Sequence, residues 1–404
     1  MGWESGAGLG HVAPMRLVAR ALMDRGHEVV MSLRDVVEPA AFLKDETYPI
    51  IQGPHWSRPA PKNARGQPFA AATFSDILAV GGFSDADALT AMLRAWDSLI
   101  DVVRPDLVVA EYAPLLALAA HGRVPAVLFG SGFTVPPADL PVYPRLQPRI
   151  EPVATQQQIL AVVREAQKRR GRPAPETLPA VLACEARFPC TFPELDPYRA
   201  VRREPTIPPL TDLPPPLAPA RAPRFFAYLA ADAGGLPKLL SALAKSGVPG
   251  GIFLRSPPQK LRDAIRKTAI ALYDEPQPLA RVLAEATLVI HHGGAGTSEA
   301  ALAAGRPQII FSRHLEQAMT ARALNALGVG ANLSRDAGEE AVVDLIRRAA
   351  ADKPAAARAA ARAADIAARG PRPGVAPIVD ACEQLLAAPS GAGSPVLTED
   401  ASLK

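Results

Sequence analysis

Nine short apolar runs constrain what this chain can become more than any other feature. Three lie in the first half: GHEVVMSL (26–33), PDLVVAEY (105–112) and VPAVLFG (124–130). Six lie in the second: RFFAYLAA (224–231), VPGGIFLR (248–255), IALYD (270–274), TLVIHH (287–292), PQIIF (307–311) and GANLS (330–334). The first three are rich in valine, and short apolar runs of this kind read as strands buried on both faces of a parallel sheet. Helical patterns alternate with them, as at Pro14–Arg25 and Asp85–Val103. Pro14 suits a first helical turn and Gly26 a stop after Arg25. Alternation of this kind predicts doubly wound α/β domains.

The two halves are separated by REPTIPPLTDLPPPLAPARAP (203–223). Proline lacks the N–H that both helix and sheet need, so this segment is expected to be an extended linker. The chain has 43 prolines, about twice the ~5% of an average protein. The expected organisation is a first domain over 1–202, a linker over 203–223 and a second domain over 224–388. A flexible tail is expected over 389–404. Residues 339–388 are alanine-rich and helical, and the last helix is able to return to the first domain. One oddity is the start, MGWESGAGLGHVAPM, where at most Met1–Glu4 can supply a strand before the glycine turn. Either the first strand is a stub or the true start lies upstream.

Composition excludes several function classes. Net charge is only +4, and no basic stretch is interleaved with aromatics, so nucleic acid is not expected as a partner. Three cysteines, Cys184, Cys190 and Cys382, make no disulfide framework and fit a reducing compartment. No apolar run reaches about 18 residues, and no signal-peptide pattern opens the chain. A cytoplasmic location follows as an expectation, compatible with peripheral membrane contact.

The segment VIHHGGAGTSEAALAAGRPQIIF (289–311) carries chemistry. A strand ends at His291, glycines 293, 294 and 296 permit a tight turn, and a helix begins near Thr297. Unpaired N–H groups and a partial positive charge at such a helix start suit a phosphate or diphosphate. Thr297 and Ser298 add hydroxyls, and His292 is expected to donate a ring N–H to a phosphate oxygen. A zinc site from His291 and His292 is not expected, since adjacent strand residues face opposite ways.

Spacing adds a resemblance. Gln277 follows Pro276, and fifteen residues later comes His292. Glu316 and Gln317 stand twenty-four and twenty-five residues beyond His292. This register resembles the signature of nucleotide-sugar-dependent glycosyltransferases of the two-Rossmann (GT-B) type, which include plant secondary-metabolite and bacterial antibiotic enzymes. The resemblance is sharp over 274–330 and weaker but consistent elsewhere, through GLGHVAPM and RGHEV. It implies two Rossmann-like domains facing each other across a cleft. It implies that His292, Gly294, Gly296 and Thr297 hold the donor diphosphate, Glu275 and Gln277 lie near the base, and Glu316 and Gln317 bind the donor sugar. Three positions depart from the pattern. Asp274 stands where plant members have the base-stacking tryptophan, Ala300 where a ribose-binding Glu is common (Glu299 is one step early), and Glu316 where Asp is usual. A deoxyribose donor would not need the ribose contact.

As a class these enzymes transfer a sugar with inversion, in one displacement, without a metal or cofactor; the nucleoside-diphosphate sugar is a co-substrate. His11, after a glycine turn and before a helix, matches the catalytic base by motif, and its ordinary pKa of about 6.5 lies near working pH. Glu111, at a strand end, stands where members usually carry an orienting Asp. Asp85-Ala86-Asp87 resembles a metal-binding D-x-D but opens a helix, where acidic residues are favoured for dipole reasons. His27 reads as structural. Trp56, Phe69, Phe74, Phe83, Phe133 and Tyr143 sit in loops that either line an apolar pocket or pack on themselves. The expectation is hexose transfer from a UDP- or dTDP-sugar to a hydroxyl of a small apolar or lipid-like acceptor. The alternatives are a nucleotide-sugar epimerase on the same fold and a non-catalytic nucleotide-sugar-binding homologue.

Overall fold

A computed structural model describes residues 1–59, 69–218, 222–334 and 336–388. The tail expected over 389–404 and part of the linker, 219–221, lie outside the described residues. Twelve strands among the described residues form two sheets. The first comprises β1 (Gly2–Trp3), β2 (Met31–Leu33), β3 (Ile50–Gln52), β4 (Val108–Glu111), β5 (Ala126–Gly130) and β6 (Ala186–Pro189). The second comprises β7 (Phe225–Ala230), β8 (Gly250–Arg255), β9 (Ala271–Tyr273), β10 (Leu288–His291), β11 (Gln308–Ile310) and β12 (Gly330–Asn332). All pairings between these strands are parallel.

The strand orders are β3-β2-β1-β4-β5-β6 and β12-β11-β10-β7-β8-β9. Counted from each sheet's own first strand, the winding is the same. Winding reverses between β1 and β4 in one sheet and between β7 and β10 in the other. Loops leaving the carboxyl ends of such neighbouring strands diverge to opposite faces and open a crevice, where ligands of this architecture bind. His11 and Glu111 follow β1 and close β4. Ala230 closes β7, and His291 and His292 leave β10. Both candidate half-sites therefore sit at a reversal point.

All nine apolar runs become strands. Three strands lacked such a run. β1 has only two residues, yet it lies mid-sheet, paired to β2 and β4 through Gly2↔Ser32 and Gly2↔Ala110. β3 and β6 are outer strands whose residues are mostly half-buried or exposed, so they carry no continuous apolar signal. The helix expected from Pro14 starts earlier, at Leu9, so Pro14 lies inside it and not in its first turn. Gly8 provides the cap position at φ 88, a conformation glycine adopts without penalty.

The proline-rich segment is extended but anchored on both sides. Thr191 N–H donates to Ile207 O at 2.9 Å and Ile207 N–H to Pro189 O at 3.0 Å, which extends the first sheet. On the other side the buried Arg306 guanidinium donates to Leu217 O and Ala218 O. Near the end of the described chain, the helix Ala376–Ala387 buries Ile378, Val379 and Cys382 in the core of the first sheet, and Arg25 pairs with Asp380 and Glu383 on its outer side. The polypeptide thus passes between the two units twice. No helix among the described residues is long and apolar enough to cross a membrane, and the three cysteines are free.

Candidate active site

One cleft of about 1000 Å³ lies between the two sheets. On its first wall, Nδ1 of His11 lies 3.0 Å from both carboxylate oxygens of Glu111. An ionised carboxylate only accepts, so Nδ1–H is the donor and Nε2 keeps its lone pair. The imidazole stacks on Trp3 (centroids 5.5 Å, planes 19° apart) and leans on Tyr112 at 5.6 Å. Gly6 approaches from the remaining side. A β-carbon there would lie 2.3 Å from His11 Nε2, and φ is +82, so the glycine turn is shaped around the ring.

His11 is 15% exposed at its side chain and Glu111 3%. Burial disfavours the charged imidazole. The Glu111 carboxylate, its hydrogen bond and the nearby Glu316 more than offset this, so the His11 pKa is raised above its usual 6.5. Burial raises the Glu111 pKa as well, with His11 acting against it. The two titrate as a unit that holds one proton more firmly than free histidine does.

The second wall is the turn after β10. Gly293 has φ +91, and a β-carbon would press Ile310 Cγ2 at 2.7 Å and the Gln317 carbonyl at 3.1 Å. Only glycine brings the chain this close. The helix Ala295–Ala303 then starts with Gly294 at its cap and no side chain capping it. Its first N–H groups have no partner within the helix. Gly294, Gly296 and Thr297 all line the cleft.

His292 corrects the sequence expectation. It lines the cleft, but both ring nitrogens are engaged: Nδ1–H donates to Phe311 O at 2.8 Å, and Nε2 accepts from Ala230 N–H at 2.9 Å. No ring N–H remains for a phosphate oxygen. Burial lowers its pKa, consistent with a neutral ring. Its observed role is to tie the ends of β7 and β11 to the turn after β10. His291 is also structural. It accepts from Gly293 N–H and contacts Gln308 Oε1 at 2.8 Å, and burial depresses its pKa to about 4.

Glu316 and Gln317 open the helix Leu315–Ala326 and line the cleft together. Ser131, after β5, donates to Glu316 Oε1 at 2.9 Å across the cleft. Gln317 Oε1 accepts from Arg313 N–H at 2.7 Å, which orients its amide. Glu275 and Gln277 are brought near each other, with Gln277 Nε2 donating to Glu275 O at 2.9 Å, but neither lines the cleft. Asp274 binds Arg262 and Arg266 at the surface.

Sequence reasoning passed over several cleft residues. Ser131 and His314 sit in loops without pattern. Arg313 and Asp232 form a two-pronged ion pair, 2.8 and 3.0 Å, beside His292, though nothing in their spacing announces it. Asp85 accepts from the N–H groups of Asp87 and Ala88 as a helix cap, and Asp87 pairs with Arg169, which accounts for the D-x-D. Of the six loop aromatics, only Phe69 and Phe133 line the cleft. Phe74 packs against Phe133 and Tyr143 behind it, Phe83 is buried, and Trp56 covers Gly82. Residues 60–68 of that loop region lie outside the described residues.

Comparison with known proteins agrees with the fold. Residues 259–385 match the family model for the erythromycin biosynthesis protein CIII-like C-terminal domain. The elloramycin glycosyltransferase ElmGT of Streptomyces olivaceus is 42% identical over 89 residues, a match spanning 22% of each protein. Solved structures similar over nearly the whole chain include the spinosyn rhamnosyltransferase SpnG in complex with spinosyn aglycone. It has 20% identity and a TM-score of 0.65, covering 95% of this chain and 99% of that one. SpnG complexed with thymidine diphosphate has 20% identity and a TM-score of 0.59, covering 93% and 97%. The glycosyltransferase SsfS6 of Streptomyces sp. SF2575, also with thymidine diphosphate, has 19% identity and a TM-score of 0.56, covering 92% and 95%. At these identities the likeness establishes the fold, two Rossmann-like domains of the GT-B type. The family resemblance read in residues 274–330 recurs in these comparisons.

Proposed function

We propose that this protein transfers a sugar from a nucleoside-diphosphate donor to a hydroxyl of a small acceptor, with inversion and without a metal. The observation that carries the proposal is the meeting, in one cleft, of a carboxylate-held histidine and an uncapped helix start, each at the winding reversal of its own sheet. The donor diphosphate takes the N–H groups of Ala295–Thr297 and the Thr297 hydroxyl. Glu316 and the free amide NH₂ of Gln317 meet the hydroxyls of the donor sugar, accepting from and donating to them. Glu275 and Gln277 are the candidates for contact at the base.

In the reaction the acceptor oxygen forms a bond to the anomeric carbon as its proton passes to His11 Nε2. The bond from that carbon to the diphosphate oxygen breaks on the opposite face. The electron pair leaves with the diphosphate, where the helix start stabilises the added charge. Glu111 holds the imidazole in the right tautomer and stabilises the imidazolium that results. Support for a thymidine-type donor comes from Ala300, which offers no carboxylate to a ribose, and from the thymidine diphosphate held by SpnG and SsfS6. An apolar acceptor fits the Phe69 and Phe133 side of the cleft, and SpnG binds an aglycone.

The test is calorimetry of the protein with UDP- and dTDP-glucose, followed by transfer assays against apolar hydroxylated acceptors. Uptake of one donor and release of its nucleoside diphosphate on acceptor addition are expected. Absence of uptake of either would remove the proposal.

A further inference from the structure

The Glu316 carboxylate is held from the opposite wall of the cleft. Among the described residues its side chain takes one hydrogen bond, from the Ser131 hydroxyl at 2.9 Å. Ser131 belongs to the first domain, directly after β5, and Glu316 to the first turn of the helix Leu315–Ala326 in the second. Both are half-buried and both line the cleft. The Ser131 oxygen accepts from Thr134 N–H at 3.3 Å. The other acceptor within its reach, Thr134 Oγ1, is at 3.4 Å, so the one hydroxyl proton goes to the carboxylate, which is nearer and charged. The end of β5 borders the His11–Glu111 pair too: a β-carbon on Gly130 would lie 3.3 Å from Glu111 Oε1. Two consecutive residues, Gly130 and Ser131, thus meet the carboxylate behind the base and the carboxylate assigned to the sugar. The Glu316 charge acts on both His11 and Glu111.

The helix that carries Glu316 is fastened to the first domain as well. Leu315 and Met319 are buried in that domain's core, and Arg322 Nη1 donates to Leu146 O at 2.8 Å. Side-chain length fits this arrangement. Glu316 stands where the resemblance has Asp as usual, and an aspartate would withdraw the carboxylate by about 1.5 Å, out of reach of Ser131. We infer that Ser131 is a positioning residue: it holds Glu316 Oε1 from the opposite wall, leaves Oε2 for a sugar hydroxyl, and so fixes the place of the donor sugar relative to His11. The longer side chain is what lets the two domains share one carboxylate. This rests on the proposed glycosyl transfer and gives a residue of the first domain a part in holding the donor.

Calorimetric titration of wild type, Ser131→Ala, Glu316→Asp and the double variant with UDP, dTDP, UDP-glucose and dTDP-glucose tests it. Ser131→Ala is expected to weaken the nucleotide sugar about tenfold, the strength of one charge-assisted hydrogen bond, and to leave the free nucleotide unchanged. In the Glu316→Asp background, where that bond is already broken, Ser131→Ala has no further effect. Unchanged sugar affinity in Ser131→Ala overturns the role. So does an equal loss for the free nucleotide, or the same loss in both backgrounds. Thermal melts show whether each variant folds; if Ser131→Ala does not, Ser131→Cys, whose thiol is a weak donor, carries the test. A wild type that binds none of the four ligands ends the glycosyl-transfer proposal itself, whereas sugar binding that Ser131→Ala shares with wild type ends only the assignment of Ser131.

Discussion

Both carboxylate oxygens of Glu111 lie within hydrogen-bond distance, 3.0 Å, of one nitrogen of His11, so the other nitrogen, Nε2, takes no part in that pair. His11→Ala removes that nitrogen and nothing from the donor wall. Transfer should fall by ~10²–10⁴-fold. The Kd for the donor should stay within about twofold, since no donor contact is assigned to His11. Initial rates and calorimetry separate the two; a variant that transfers at the wild-type rate removes His11 as base.

The raised pKa of His11 sets a direction for pH dependence. The base works unprotonated, so kcat/KM should fall as pH drops through a value above 6.5. Glu111→Gln removes the negative charge that holds the proton, so the same limb should move to lower pH while the plateau drops. The groups around the ring are Glu111, Glu316, Arg34, His314 and Tyr112, and Arg34 acts in the opposite sense to the carboxylates. A wild-type limb below 6.5, or one unmoved by Glu111→Gln, contradicts the pairing.

His292→Ala leaves Ala230 N–H and Phe311 O without their ring partner. The cost should be about 1–3 kcal/mol of stability, seen as a lower Tm. Binding of free UDP or dTDP should weaken with it, because the turn after β10 is no longer tied to its neighbours. A variant with wild-type Tm and wild-type nucleotide affinity would show that the two hydrogen bonds hold nothing in place.

Gly6→Ala should resemble His11→Ala in activity. The added methyl meets His11 Nε2 and takes an unfavourable φ. Donor affinity is expected to be unaffected, so a loss confined to kcat is the signature. Retained turnover would mean the ring finds another productive position.

Glu299 gives a stability prediction with a definite sign. Its carboxyl titrates at about 8 in the folded chain, against 4.5 when open. Below 4.5 both states are protonated. Between the two values folding takes up a proton, so stability falls as pH rises. Glu299→Gln carries no such penalty and should melt higher than wild type at about pH 7.5, the gain vanishing near pH 4. An advantage that persists undiminished at pH 4 would point to packing instead.

The nine apolar runs were legible because parallel strands need no alternation and stand out as short, mostly apolar stretches. β1 was hidden because two residues cannot show a pattern, although Gly2 and Trp3 pair on both sides. His11, Glu111, Glu316 and Gln317 were legible through position and spacing. The atoms that His292 bonds were not. Residue type says that an imidazole can donate to a phosphate, while only the fold reveals that Phe311 O and Ala230 N–H reach it first. The meeting of Ser131 with Glu316 was not legible either: contact across a cleft is a property of how the sheets face each other.

The helix Ala376–Ala387 makes the first unit dependent on the far end of the chain. A ribosome releases the residues of β1 to β6 long before Ile378 and Val379 exist, so the first sheet is left with an uncovered apolar patch until those residues are made. Expressing the N-terminal half alone would leave that patch exposed for good, whereas any opening and closing of the finished protein must bend both strands of polypeptide at once, like a door hung on two pins.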